Sequence, residues 1–207
     1  MPARGRFITL EGGEGVGKST QVNALADALR QRGLDVLVTR EPGGSQQAEV
    51  LRKLLLDPNE SWMPHSEALL FAAARADHVA CTIRPALELG QWVISDRFVD
   101  SSLAYQGGAG GLGIESVRAV NVFAIGDDFP DRTLVLLLGE GGDRAKARDS
   151  AGSDRIGGRP DEYHRAVETA FRLIAAEEPE RVKLIDASGS PEEVTQRLLD
   201  AIQDLLP

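Results

Sequence analysis

The chain has 207 residues, 42% hydrophobic and 27% charged, a composition that fits one globular domain with a sizeable core. No stretch approaches the roughly 18 consecutive apolar residues that a membrane-spanning helix needs, so no such span is expected. The formal net charge of −9 argues against a nucleic-acid partner, which calls for a basic face.

The lone cysteine, Cys81, excludes an internal disulfide and is expected to be a small buried helix residue. Met1 to Arg6 run straight into the first predicted strand without the apolar core of a signal peptide, so a cytoplasmic protein is expected. His65, His78 and His164 are too scattered to suggest a metal cluster.

In chain order, Phe7-Ile8-Thr9-Leu10 is a short apolar strand. Gly12-Gly13-Glu14-Gly15-Val16-Gly17-Lys18-Ser19 follows, with Thr20 after it, and fits G-x-x-x-x-G-K-[ST]. Val22, Leu25, Ala26 and Leu29 then recur at helical spacing. Strand, glycine-rich loop and helix in that order mark a nucleoside triphosphate site. Gly12, Gly15 and Gly17 let backbone N–H groups converge on phosphate, reinforced by the dipole of the helix start. Lys18 can reach the outer phosphates, and the Ser19 hydroxyl can hold Mg2+.

Asp35 to Thr39 is a second strand, ending at Arg40-Glu41-Pro42-Gly43-Gly44. A helix follows, with Ala48, Leu51, Leu54 and Leu55 on one face and Arg52 off it. His65 to Leu89 is predicted to be helical with a break at Pro85. Phe71 and Arg75 share one face of it, with Leu69, Ala72, Ala73, Ala76 and Ala80 on the other. A ring beside a guanidinium suits a flat heterocycle; the same spacing also describes a core Phe beside a solvated Arg.

Trp92 to Ser95 is a strand closed by Asp96-Arg97-Phe98, a carboxylate and a phosphate-binding fork where an open parallel sheet binds ligands. Asp100 to Gln106 then supplies hydroxyls, the Tyr105 phenol and an amide. Gly107 to Gly113 is a predicted loop before a helix near 115–124. Thr133 to Leu138 is an uninterrupted apolar strand, of the kind covered on both faces. Arg144, Lys146, Arg148, Arg155 and Arg159 fall in a polar segment, about 144–160, readable as a solvated charge run or as a mobile lid. A helix over 161–178, a strand Val182 to Ile185 and a helix opened by Ser190-Pro191-Glu192-Glu193, a capping box, complete the chain. Alternating strands and helices predict an α/β fold: a parallel five-stranded sheet in a three-layer P-loop arrangement, as one domain over 1–207.

Several strings together resemble the thymidylate kinase family. They are Phe7 through Thr20, Thr39-Arg40-Glu41-Pro42-Gly43-Gly44, Leu70 through Arg75, Asp96-Arg97-Phe98 through Gly107, Pro130-Asp131 and Ile185-Asp186-Ala187. The resemblance implies phosphorylation of dTMP to dTDP with MgATP, by direct in-line transfer, in a homodimer. Phe71 would stack on thymine and Arg75 bond its exocyclic oxygen, with Ser102 and Gln106 on the rest of the base edge. Tyr105 would crowd the sugar 2′ position. Arg52 and Arg97 would hold the acceptor phosphate, approached by Glu14. Asp96 would assist around the acceptor and the metal with Ser19, and Ala187 would line the adenine site. A cis Glu41-Pro42 bond is also implied. Catalysis would rest on Lys18, Arg97, Asp96 and a lid arginine, Arg148 first and Arg155 second, because the loop positions Gly13 to Val16 carry no basic residue.

The chain departs from the family pattern at Leu137, where an Asp is usual, and at Gly157-Gly158-Arg159-Pro160, where an acidic cluster is usual. Two alternatives stay open at this level. One is a P-loop kinase for another nucleoside or monophosphate; the other is a non-catalytic nucleotide-binding homologue.

Overall fold

The structure, a computed structural model, describes residues 3–138 and 155–207. Five parallel strands form one sheet: β1 (Phe7–Gly12), β2 (Val36–Arg40), β3 (Trp92–Asp96), β4 (Arg132–Leu137) and β5 (Val182–Asp186), in the order β2-β3-β1-β4-β5. Every residue of β1 and β4 is buried, as their uninterrupted apolar runs require of central strands covered on both faces. Side chains alternate between faces. Ile8 and Leu10 pack with α1 (Lys18–Gln31) and the last helix, whereas Phe7 points into the opposite core with Val93, Phe98, Leu103, Val135 and Phe171.

That second core is roofed by α4 (Arg84–Glu88), α5 (Val99–Ser102), α6 (Ile114–Ile125) and α7 (Asp161–Glu177); α3 (Pro64–His78) packs on α6, and α2 (Gln46–Leu56) packs on α3. The expected three-layer α/β architecture is present. One polar chain crosses the buried sheet: Thr9 Oγ1 to Thr133 Oγ1, Thr133 Oγ1 to Asp100, and Asp100 to Arg181. Each member has its partner, which burial demands.

The helix over 65–89 does not break at Pro85. Instead, a widened π turn, Val79–Ile83, joins α3 to α4. Proline lacks an N–H and crowds the carbonyl four residues back, and a wider turn just before it accommodates both defects. A second π turn, Leu103–Ala109, replaces the start of the predicted glycine loop, which shrinks to Gly110–Gly113. Gly108 is a packing residue here: a Cβ on it would lie 2.5 Å from the Ala170 Cβ of α7.

One burial expectation is corrected. Cys81 is exposed, because the π turn rotates it outward. On α3, Leu69 is 57% exposed and Ala73 is open, as is Ala80 in the π turn that follows; the buried face of α3 carries Glu67, Ala68, Ala72, Arg75 and His78. The capping box is formed at α8 (Pro191–Ala201): Glu193 N donates to Ser190 Oγ and Ser190 N to Glu193 Oε2. Arg144, Lys146 and Arg148 lie outside the described residues.

Candidate active site

The phosphate loop leaves β1 at Gly12, where only glycine fits: φ is 133° and a Cβ would meet Leu136 O at 2.4 Å. It re-enters α1 at Gly17 with φ of 88°. Between them the loop curls so that Lys18 Nζ donates back to Gly13 O (2.6 Å) and Gly12 O (3.2 Å). Burial, and then the Arg97 guanidinium, pull the Lys18 ammonium down to about 8. A polyanion seated in the loop would reverse that electrostatic deficit.

At the end of β3, next to β1, Ser19 Oγ donates to Asp96 Oδ2 at 2.9 Å. A hydroxyl and a carboxylate at a phosphate loop are hard oxygen donors, a set that fits Mg2+ when phosphate oxygens and water complete the shell. Arg97 follows in the left-handed region, φ 69°, a backbone strain of order 1–3 kcal/mol for a non-glycine residue. It is held there by Arg97 N donating to Leu10 O and Ser95 Oγ donating to Arg97 O. That turn aims the guanidinium back across the cleft. It reaches Glu14 Oε1 (2.5 Å), Gly12 O (3.0 Å) and Ser101 Oγ (3.2 Å), and lies over the Tyr105 ring at 5.1 Å. Beneath it Glu11 is fully buried, accepting from Phe98 N and Ser101 Oγ; burial, then the Asp100 charge, push its carboxyl up to about 8.

The other half of the cleft is built from β2, α2, α3 and the segment after β3. The Glu41–Pro42 peptide is cis, as the resemblance implies. Arg52 Nη1 donates to Pro42 O at 2.5 Å. Arg75 is only 2% exposed, neither a stem for a solvated charge nor a free guanidinium. Its Nε donates to Glu41 Oε2 (2.7 Å), Nη1 to Ser102 Oγ (3.0 Å) and Asn121 Oδ1, and Nη2 to Phe98 O (3.0 Å). A guanidinium has five N–H groups, so one on Nη2 is left over. His78 supports the array from behind, bridging Thr39 Oγ1 and Glu41 Oε1.

These two halves share one cavity of about 440 Å³. Its lining runs from Gly15, Gly17, Lys18, Ser19 and Thr20, past Glu14, Asp96 and Arg97, to Arg52, Phe71, Arg75, Ser102, Tyr105 and Gln106. The sequence from residue 10 to residue 198 matches the family described as Thymidylate kinase. The chain belongs to the thymidylate kinase family. It is 58% identical to a thymidylate kinase of Rhizorhabdus wittichii, covering 98% of this chain and 99% of the relative. It is 49% identical to one from Bradyrhizobium diazoefficiens, covering 99% and 92%. A crystal structure of thymidylate kinase from Ehrlichia chaffeensis is similar in fold, with a TM-score of 0.79 and 31% identity over 98% of this chain and 99% of that one.

For a member of this family the predicted residues divide cleanly. All the acceptor-side candidates line the large cavity, together with Lys18, Ser19, Thr20, Asp96 and Arg97. Gly13 and Val16 turn instead toward a smaller cavity of about 80 Å³, walled by Leu136, Leu137 and His164 and also touched by Glu14. Ala187 lines neither; its N donates to Leu137 O beyond β5, on the opposite flank of β1 from β3. Arg155 is engaged by Glu67 and by Leu55 O, away from the cavity lining.

Sequence reading missed Asn121, Glu67 and the full part played by Glu41. Glu67 was within reach, since it stands four and eight residues before Phe71 and Arg75 on one helix face. Asn121 was not, because only the tertiary packing of α6 on α3 brings it to Arg75.

Proposed function

We propose that this chain transfers the terminal phosphoryl group of MgATP directly to the 5′-phosphate of dTMP. The observation that carries this reading is the single cavity with a phosphate loop at one end and the Phe71–Arg75–Gln106 wall at the other. At the donor end, the loop N–H groups and Lys18 hold the phosphates and offset charge on the transferring group. Arg97 and Arg52 take the acceptor phosphate, Arg97 exchanging its contact with Glu14 for it. Phe71 offers a face for a pyrimidine, and the spare Nη2 N–H of Arg75 can donate to its carbonyl oxygen. Tyr105 Oη, buried and without a hydrogen bond of its own, crowds the sugar and favours deoxyribose. Ser19 and Asp96 would hold Mg2+, which supplies charge neutralisation on the phosphates. An acceptor phosphate is already ionised near neutral pH, so no general base is assigned. Arg148, outside the described residues, is the lid cation in this reading, and Ala187 flanks the adenine.

The chain works as one kinase domain with a lid over about 144–160, and as a cytoplasmic homodimer. In this reading a second copy covers exposed Leu69 on α3 and exposed Phe123 (94%) and Val122 on α6, which packs on α3. Sedimentation at twice the monomer mass is expected, and a monomer at micromolar concentration would contradict the assignment.

The activity is tested by ADP release over a panel of monophosphates. dTMP is expected to far exceed dUMP, dCMP and AMP, and Lys18→Ala to lower turnover by roughly a hundredfold or more. Preference for another acceptor would overturn the substrate assignment, and ATP binding without transfer to any acceptor would overturn the enzyme assignment.

A further inference from the structure

Glu67 has no part in the chemistry above, yet it is 3% exposed at the acceptor end of the cleft. Its Oε1 accepts from Gln106 Nε2 at 2.9 Å. Its Oε2 accepts from Arg155 Nη1 and Arg159 Nη2, both at 2.6 Å. The two arginines stand near the C-terminal end of the 144–160 segment; Arg155 is tied further to Leu55 O of α2, and Arg159 to the Tyr163 hydroxyl of α7.

This arrangement decides which way the Gln106 amide points. The two ends of a glutamine amide have the same shape, and their identity follows from their partners. A carboxylate clasped by two guanidinium groups can only accept, so the group turned to Glu67 must be the NH2. The carbonyl, Oε1, therefore faces the other way. Gln106 lines the cavity, and among the described residues no protein donor engages its Oε1. Ser102, one helical turn earlier, is hydrogen-bonded to Arg75. The acceptor wall thus presents an N–H from Arg75 and a bare carbonyl from Gln106.

We infer that Glu67 is a positioning residue for base selection: it locks the Gln106 carbonyl toward the acceptor base. A carbonyl beside a ring N–H, the imide edge of thymine or uracil, complements a donor followed by an acceptor. Cytosine offers an amino group and a bare ring nitrogen, so it meets donor with donor and acceptor with acceptor. Arg155 and Arg159 hold Glu67 in place, so the orientation of the Gln106 amide rests on those two ion pairs. This inference rests on the dTMP reading above.

The test is kcat/KM for dTMP and for dCMP in the wild-type enzyme, Glu67→Gln and Glu67→Asp, with KM for ATP measured alongside. Gln at 67 can either donate or accept, which frees the Gln106 amide to turn over. The dTMP-to-dCMP ratio is expected to fall roughly tenfold or more in Glu67→Gln, with KM for ATP unchanged. Glu67→Asp, still acceptor-only, is expected to keep most of the ratio. Equal losses for both nucleotides would mark a merely structural role and overturn the inference. If Glu67→Gln does not fold, Gln106→Leu replaces it, removing the carbonyl while leaving Glu67 and its arginines. Collapse of the ratio there supports the inference, and an unchanged ratio overturns it. A wild-type enzyme that does not prefer dTMP overturns the functional reading as well, whereas a dTMP-preferring enzyme whose ratio ignores these substitutions overturns this inference alone.

Discussion

Lys18 carries a charge that its burial penalises. With the ammonium pulled down to about 8 by burial and Arg97, the free enzyme loses it as pH rises through that value. The unfolded chain keeps the charge to about 10.5, so this group adds stability only above about pH 8. For activity the sign is opposite, because the cation is needed at the phosphates. kcat/KM for ATP, which reports the free enzyme, is expected to fall above about pH 8. The kcat limb should lie higher, since bound phosphates restore the ammonium. Profiles of both parameters from pH 6 to 10 check this, and a kcat/KM flat to the alkaline end would contradict it. The loop motif made Lys18 legible in the sequence, but its altered basicity was not, because that comes first from burial and then from Arg97, some eighty positions away, and both depend on the fold.

The helix α3 is where residues four apart become a recognition surface. Phe71 and Arg75 were legible as a pair from spacing alone, yet the spacing did not say which flank of the helix is buried. The reason lies in the polar residues: Glu67, Arg75 and His78 are buried because they satisfy one another's neighbours through Gln106, Glu41, Ser102 and Asn121. Short alanines such as Ala73 leave no signal about which side is covered. The same helix shows why Pro85 misled: a π turn absorbs it, and nothing local announces that turn. Phe71→Ala tests the surface directly. Loss of a base-stacking ring is worth about 1–3 kcal/mol, so KM for dTMP should rise roughly tenfold or more with KM for ATP nearly unchanged. Equal effects on both substrates would refute the stacking role.

At the scale of the whole molecule, the strand order explains why two distant parts of the chain meet. β1 carries the phosphate loop and pairs with β3, whose end supplies Asp96 and Arg97; β2 lies beyond β3 and ends at Arg40-Glu41. Acceptor groups therefore gather on the β3–β2 side, while β4 and β5 close the other flank. Alternating strands and helices made the parallel sheet legible. The order of the strands does not follow from that alternation, and with it the placing of Arg97 against Glu14 depends on the folded topology.

The central claim is that donor and acceptor sit together at the two ends of one cavity. A single compound joining adenosine and thymidine 5′ to 5′ through an oligophosphate tests it most directly, by steady-state inhibition against each substrate in turn. The expected result is competition with both ATP and dTMP, and binding tighter than either nucleotide alone. Competition with ATP only, with dTMP binding undisturbed, would contradict the claim that one cavity holds both.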